Sequence, residues 1–443
     1  MTQGSIDFGI VGGGILGMTL AIRLAEAGNS VTVYERGDTL GGLATGAPIG
    51  DVTWDRFYHV MLQSDTALLA LLDSLGVATD LQWRATGTGL YDDGSLHPVS
   101  NAVDYLRLPV LGPLAKVRIG ATVLRASRIR DWASLEQMTA EQWLTRWSGP
   151  AAYRRFWLPL LRSKLGDRYD EVSAAFIWAI IHRLYAARRA GMKQDLFGYM
   201  PGGYSGILTR LESRAVALGV RPLVGVRVLE VAGTEGGASV RTTDDLTVHD
   251  RVVVTVPSPI AADLIPGLSA SERDAHLGIM YQGIVCASLL LDRPLSDFYV
   301  TNITDPAAPF TGVIEMSALV DRVEFGGRSL VYLPKYLPPD DPMFEESNDA
   351  IMDRFNAALS AMYPWFESDQ IVAHAVARAR YVLPLSTVGY SDRLPPMQTS
   401  VPGVYVVNSA HIVNGTLNAN ETVGLANRSV PVVTAVERSG SLR

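Results

Sequence analysis

The sequence predicts an α/β fold in which a parallel-sheet nucleotide-binding domain is joined to a second domain of mixed sheet and helices. Three observations lead there. Residues 6–42 run strand, glycine turn, helix, strand and acid in unbroken order. Apolar β-rich runs return far downstream, as DRVVVTVP at 250–257 and GVYVVN at 403–408. Between them, from Asn101 to about Lys193, the pattern turns helical and rich in Leu, Ala, Arg and Trp.

Ile6–Val11 reads as a buried parallel strand, and Gly12-x-Gly14-x-x-Gly17 follows at once. Apolar residues recur at helical spacing from Ile15 to Ala27, and Gly28 closes that helix. The run Ser30–Tyr34 then ends on Glu35. Gly12 permits a tight turn, Gly14 lets backbone N–H groups approach a pyrophosphate, and Gly17 lets the helix pack closely on the strand. The helix N-terminus supplies partial positive charge for the anion. Glu35 can accept hydrogen bonds from both hydroxyls of an adenosine ribose, and it would repel a 2′-phosphate, which disfavours NADP. A glycine fingerprint alone is weak, but here every neighbouring part is in place. The pair Gly41-Gly42, six residues past Glu35, narrows the expectation from a dinucleotide to FAD.

This stretch resembles the flavin-containing amine oxidase and protoporphyrinogen oxidase superfamily, whose fingerprint is GxGxxG, then Glu-Arg, then Gly-Gly. Here those are Gly12, Gly14, Gly17, Glu35-Arg36 and Gly41-Gly42. The resemblance implies FAD held by Gly12, Gly13, Gly14, Ile15, Leu16, Gly17, Glu35, Arg36, Gly41, Gly42 and Leu43. It also implies a backbone contact to adenine at Val226, and VTVPSP at 254–259 passing the diphosphate. On its layout a discontinuous Rossmann-like FAD-binding domain takes 1–80, 200–280 and 385–443. A substrate-binding domain with a mixed β-sheet and a helical cap takes 81–199 and 281–384. DRFYHVMLQSDTALLALLDSLG, PLLRSKLG and LVYLPKYLPPDDP bring the chain closest to bacterial protoporphyrinogen-oxidase-like members found with glycan and sugar-metabolism genes.

At 443 residues the chain has room for two or three domains. Hydrophobic residues at 48% and charged residues at 19% suit a soluble enzyme. A net charge of −7 argues against nucleic-acid binding. The lone cysteine, Cys286, excludes a disulfide within the chain and a cysteine-built zinc site, and no metal is expected. No signal peptide and no run of 18 uncharged apolar residues are read, so the expected location is cytoplasmic. Oligomeric state is not legible.

The remaining elements follow in order. Residues 43–60 read as irregular, and Ser64 opens a helix that Gly76 closes. LYDDGSLHPVS reads as a hairpin turning at Asp93-Gly94. Thr139-x-x-Gln142 starts a helix as a capping box. Pro201-Gly202-Gly203-Tyr204 leads into a helix from Ile207 to Leu218. Strands are expected at 222–231, 238–242, 251–256, 284–291, 329–334 and 403–408. Helices are expected at 345–362 and 421–436.

Trp54-Asp55-Arg56-Phe57-Tyr58-His59 is polar, aromatic and irregular, and the resemblance lays it against the isoalloxazine. His59 is therefore a candidate acid/base and Tyr58 a candidate substrate contact, the alternative being that both bond only to loop backbone. The polar stretch from Asn408 to Thr422 supplies His411 as a second catalytic candidate and Asn420 as a substrate contact. The resemblance places the amides of Thr422 and Val423 at the flavin's pyrimidine oxygens, where they would stabilise the anionic reduced form. Ala410 stands where the family has an acid for the ribityl chain.

Between Tyr105 and Arg130 lie Arg107, Lys116, Arg118, Arg125, Arg128 and Arg130 without an acid, apart from Asp104 just outside. They point to an anionic membrane surface at the inner face, or to a phosphate-bearing, lipid-linked substrate, against the plainer reading of a solvated helix face. A second group, His182, Arg183, Arg188, Arg189 and Lys193, adds to the case for an anionic small-molecule substrate, with Arg183 as its contact. Amine oxidases of the superfamily place a lysine beside flavin N5 on a substrate-domain strand. Alignment on IVCASLLLDRP puts Cys286 there, so a standard amine oxidation is not expected, and Cys286 is either an active-site thiol or a small buried hydrophobe. The leading function is an FAD-dependent oxidoreductase that takes hydride from a C–H beside O or N. A non-redox sugar mutase and a flavin-free binding protein of the same fold are the alternatives.

Overall fold

The computed structural model describes residues 4–188, 196–413 and 415–435. Arg189, Lys193 and Asn414, singled out in the sequence, lie outside the described residues. A five-stranded, wholly parallel sheet runs in the order Arg221–Leu223, Ser30–Tyr34, Asp7–Val11, Arg251–Val254, Val404–Val406. Its strands are short and nearly all apolar, as burial on both faces requires. On one face, helices Ile15–Glu26, Thr66–Ser74, Tyr204–Ala217 and Ala419–Thr434 bury a core around Leu20, Ile22, Leu72 and Leu425. On the other, an antiparallel sheet of Val228–Thr234, Gly237–Thr242 and Leu246–His249 closes a second core.

A seven-stranded mixed sheet forms the other half. Tyr281–Leu291, second from one edge, is buried along its whole length between Ser329–Leu337 and the edge strand Ile371–Pro384. Phe298–Ile303 and Gly87–Asp92 make its one parallel pairing. Gly87–Asp92 and Ser95–Pro98 form the expected hairpin, with Asp93 and Gly94 both at positive φ, as a tight two-residue turn demands. A helical layer from Ala102 to Arg188 packs its own core of tryptophans and leucines, and the Thr139/Gln142 capping box opens its Ala140–Ser148 helix. Among the described residues no helix is long and apolar enough to cross a membrane.

Several elements differ from the sequence reading, among them the unexpected strands Phe298–Ile303 and Gly312–Glu315, the unexpected helices Ser258–Leu264 and Ala270–Leu277, and the strand expected at 222–231, which is split between Arg221–Leu223 and Val228–Thr234 in different sheets. Residues 43–60 hold an antiparallel pair, Gly46–Ile49 with Val52–Asp55. Strand Ile371–Pro384 was not expected. Helix Ala419–Thr434 begins two residues before the expected start, with Asn418 as its cap.

Candidate active site

The nucleotide end is built almost wholly from backbone. Strand Asp7–Val11 hands directly to Gly12, whose φ of 110° no β-carbon-bearing residue adopts easily. A β-carbon on Gly17 would lie 1.9 Å from Gly12 O, so helix Ile15–Glu26 can only pack this closely on glycine. Its N-cap, Gly14, offers no side chain to the first-turn amides, which leaves them for an anion. Gly41 N donates to Gly13 O at 2.8 Å, and a β-carbon on Gly42 would lie 3.2 Å from Gly14 Cα. The two glycine turns therefore meet backbone to backbone. Glu35 sits between them, its Oε2 accepting from Gly13 N at 2.8 Å and its Oε1 from Gly37 N at 2.7 Å. Each oxygen keeps further lone pairs for ribose hydroxyls. Ile15 and Leu43 are half-buried, Leu16 is buried, and Arg36 is exposed. Arg56 Nη2, which sequence reasoning did not assign to this end, donates to Gly42 O at 3.0 Å and to Thr45 Oγ1, pinning the second turn. The residues fit an FAD pyrophosphate and ribose.

At the other end the unexpected strand pair positions Asp55, which is buried. Its Oδ1 accepts from Tyr204 N at 2.8 Å, capping helix Tyr204–Ala217, and its Oδ2 lies 3.5 Å from His59 Nδ1. The His59 ring packs 4.8 Å from the Tyr204 ring. Asp55 and Tyr204 thus border His59, whose Nδ1 makes no hydrogen bond among the described residues. Tyr58 Oη lies 2.9 Å from Tyr336 Oη, and burial pushes both phenols up, so they stay protonated. Arg183, from helix Ala174–Arg188, grips buried Asp65 through Nε and Nη2 at 2.9–3.2 Å. Asp65 also accepts from Leu62 N at 2.9 Å. Lys164 Nζ sits 5.5 Å from the centre of the Tyr336 ring.

The geometry revises several expected roles. His411 is buried, its Nδ1 accepts from Asn408 N at 3.2 Å, and its Nε2 lies 3.1 Å from Pro395 O, so the ring is engaged by backbone. Burial is the first cause that lowers its pKa, which fits a neutral structural imidazole. Cys286 has no exposed surface, and burial pushes its thiol well up, so it packs under Tyr58 and Tyr336 rather than presenting a thiolate. Asn420 Oδ1 accepts from Ala67 N at 2.9 Å and Leu68 N at 3.2 Å, which caps helix Thr66–Ser74 and supplants the expected Ser64 cap. Thr422 N already donates to Asn418 O inside its helix, and Val423 is buried a step further in. Because Asn418 Oδ1 takes Glu421 N, the first-turn amides left for a ligand are those of Ala419 and Asn420. Val226 N donates to Glu35 O at 2.8 Å, so an adenine contact there falls to its carbonyl.

The family model described as flavin containing amine oxidoreductase matches residues 17–419. The chain belongs to that family. Membership makes FAD the cofactor of the cradle described above. A carotenoid phi-ring synthase from Streptomyces griseus is 29% identical over 317 residues, which are 65% of this chain and 60% of that protein's length. A solved structure from Exiguobacterium sp. 255-15, assigned as a protoporphyrinogen oxidase, matches with a TM-score of 0.77 at 18% identity, covering 97% of this chain and 99% of that one. A reduced UDP-galactopyranose mutase matches at 0.73 and 14% identity, over 97% and 94% of the two chains. At those identities the two structures share the fold.

Proposed function

We propose that the chain is an FAD-dependent oxidoreductase that oxidises a C–H bond beside oxygen or nitrogen on a small, anionic substrate. The observation that supports this most is the backbone-only cradle between Gly12–Gly14 and Gly41–Gly42, with Glu35 held at its centre. We read 1–80, 200–280 and 385–443 as the FAD-binding domain, and 81–199 with 281–384 as the substrate domain. When bound, FAD supplies the two-electron acceptor. The chain's part is orientation and electrostatics. Ala419 and Asn420, whose amides have no acceptor in their helix, would offer helix-terminus positive charge to the bound flavin. His59, beside Asp55, takes or returns a substrate proton, and Tyr58 with Tyr336 orients polar groups through phenols kept neutral by burial. Cys286 and His411 have structural roles.

The test is an absorption spectrum of aerobically purified protein, then anaerobic titration with amines, alcohols and lipid-linked sugars. Bleaching of bound FAD by a substrate is expected. A colourless protein without affinity for FAD would return the flavin-free binding reading. Turnover that requires pre-reduced flavin and consumes no oxidant would return the mutase reading.

A bilayer-borne substrate has its own support. Helix Pro113–Ala126 exposes Leu114, Val117, Ala121 and Leu124 at a 3-4-3 spacing, and the neighbouring helix Ala102–Arg107 exposes Val103 and Leu106. Leu114 and Val117 are 65% and 68% exposed, and Arg107, Arg118, Arg125 and Arg128 flank them. Lys116 is drawn away, its Nζ donating to Leu106 O at 2.6 Å. An apolar stripe edged by arginines suits an anionic lipid surface better than water. Sedimentation with anionic vesicles, weakened by salt and by Leu114→Glu with Val117→Glu, is the expected result.

A further inference from the structure

We propose that Lys164, over the ring of Tyr336 in the Tyr58–Tyr336 pair, forms with Arg183 a subsite for the anionic head of the substrate, a carboxylate or a phosphate ester. This rests on the oxidoreductase reading above and names the substrate's recognised group.

Lys164 stands near the end of helix Leu158–Leu165, in the segment PLLRSKLG that the sequence singles out. It is half-buried, and its ammonium faces the Tyr336 ring. Among the described residues it has neither a carboxylate partner nor a hydrogen bond. Its pKa is lowered first by burial and then by the Arg183 guanidinium. Arg183 is neutralised by Asp65, and Asp55 is committed to Tyr204 N and His59. Lys164 itself therefore has no counter-ion among the described residues. A secluded cation without a counter-ion is costly, and a ligand anion removes that cost.

The donors around it have matching chemistry. Two neutral phenols share one hydrogen bond at 2.9 Å, which uses one of their two protons. The other proton can be donated to an anion beside Lys164. A recess of about 80 Å³ opens next to Arg183, lined also by Trp178, His182 and Thr416. Glu421 lines it too and accepts from Asn420 Nδ2 at 3.2 Å, which repels an anion from that recess, and Lys164, Tyr58 and Tyr336 lie outside its lining.

The experiment uses the FAD-loaded protein with inorganic phosphate and butyrate as probes, and chloride at equal ionic strength as control. Binding is read from the flavin difference spectrum. Lys164→Gln is expected to raise the dissociation constant for the preferred anion about tenfold or more, and Lys164→Arg to keep it within about threefold. In the parent, acetylation of Lys164 by acetic anhydride, mapped by mass spectrometry, should be slowed by the same anion and not by chloride. That second readout needs no variant to fold. Equal binding by parent and Lys164→Gln, or labelling that neither anion slows, overturns the subsite. Unchanged binding with turnover lost in both Gln and Arg variants overturns it in favour of a proton-transferring amine. A protein that binds phosphate or butyrate through Lys164 yet never passes electrons to FAD would sink the oxidoreductase reading and leave the subsite standing.

Discussion

Replacing Glu35 with Gln tests the cradle most sharply, because both carboxylate oxygens already have assigned work. One accepts from Gly13 N and the other from Gly37 N. The substitution keeps the shape but turns one oxygen into an NH2 group, so one of those amides faces a donor. A hydrogen bond to a charged group is worth about 1.5–3 kcal/mol, and losing one should lower the stability of the apoprotein by that order. The ribose loses a charged acceptor as well, which corresponds to a further weakening of FAD binding by about ten- to 150-fold. Apoprotein melting and a fluorescence titration with FAD separate the two effects. Parent-like FAD affinity combined with a parent-like apoprotein melt would refute the placement of the ribose on Glu35.

Three further outcomes are expected. Glu315 is sealed at the end of strand Gly312–Glu315 in the seven-stranded sheet, accepting from Leu295 N and Ser317 Oγ, and burial raises its pKa to about 7 from 4.5. A raised folded pKa gives stability that is complete below 4.5 and lost as pH rises through 7. Urea unfolding of the parent, compared with Glu315→Gln, should therefore lose roughly 3 kcal/mol across that window; a flat difference refutes it. Asn420→Ala removes the cap from helix Thr66–Ser74 and should cost about 0.5–2 kcal/mol in the same assay, with proteolysis quickening at that helix start. The Cys286 thiol should resist alkylating reagents in the native protein and react once denatured, and fast native labelling would contradict its burial.

The nucleotide end was legible because each glycine stands where no side chain fits, and such a constraint leaves its mark in local spacing. The parallel sheet was legible for the same reason, since strands buried on both faces are bare apolar runs. Strand Ile371–Pro384 escaped because Ala373, Ala375, Ala377 and Ala379 occupy one face. Alanine favours helix by propensity, while its period of two marks a strand whose small residues let the Gly46–Ile49 strand come close. The substrate end was only half legible. His59, Tyr58 and Arg183 are conspicuous by residue type, and the structure sets Tyr58 against Tyr336 and Arg183 against Asp65. Asp65 and Asn420 find partners 118 and 353 residues away, which no local pattern announces. Lys164 lay inside a quoted segment, but its lack of a counter-ion is a property of the folded surroundings alone.

The order of strands in the parallel sheet has a consequence for biosynthesis. The glycine turn precedes most of its sheet in synthesis, yet that sheet ends with Val404–Val406, and the helix after Asp65 waits for Asn420 to cap it. A nascent or truncated chain that stops before Val404 presents Arg251–Val254 as a raw apolar edge, open to pairing with another chain. Loss of the segment from Val404 onward should therefore favour aggregation over a partly active form.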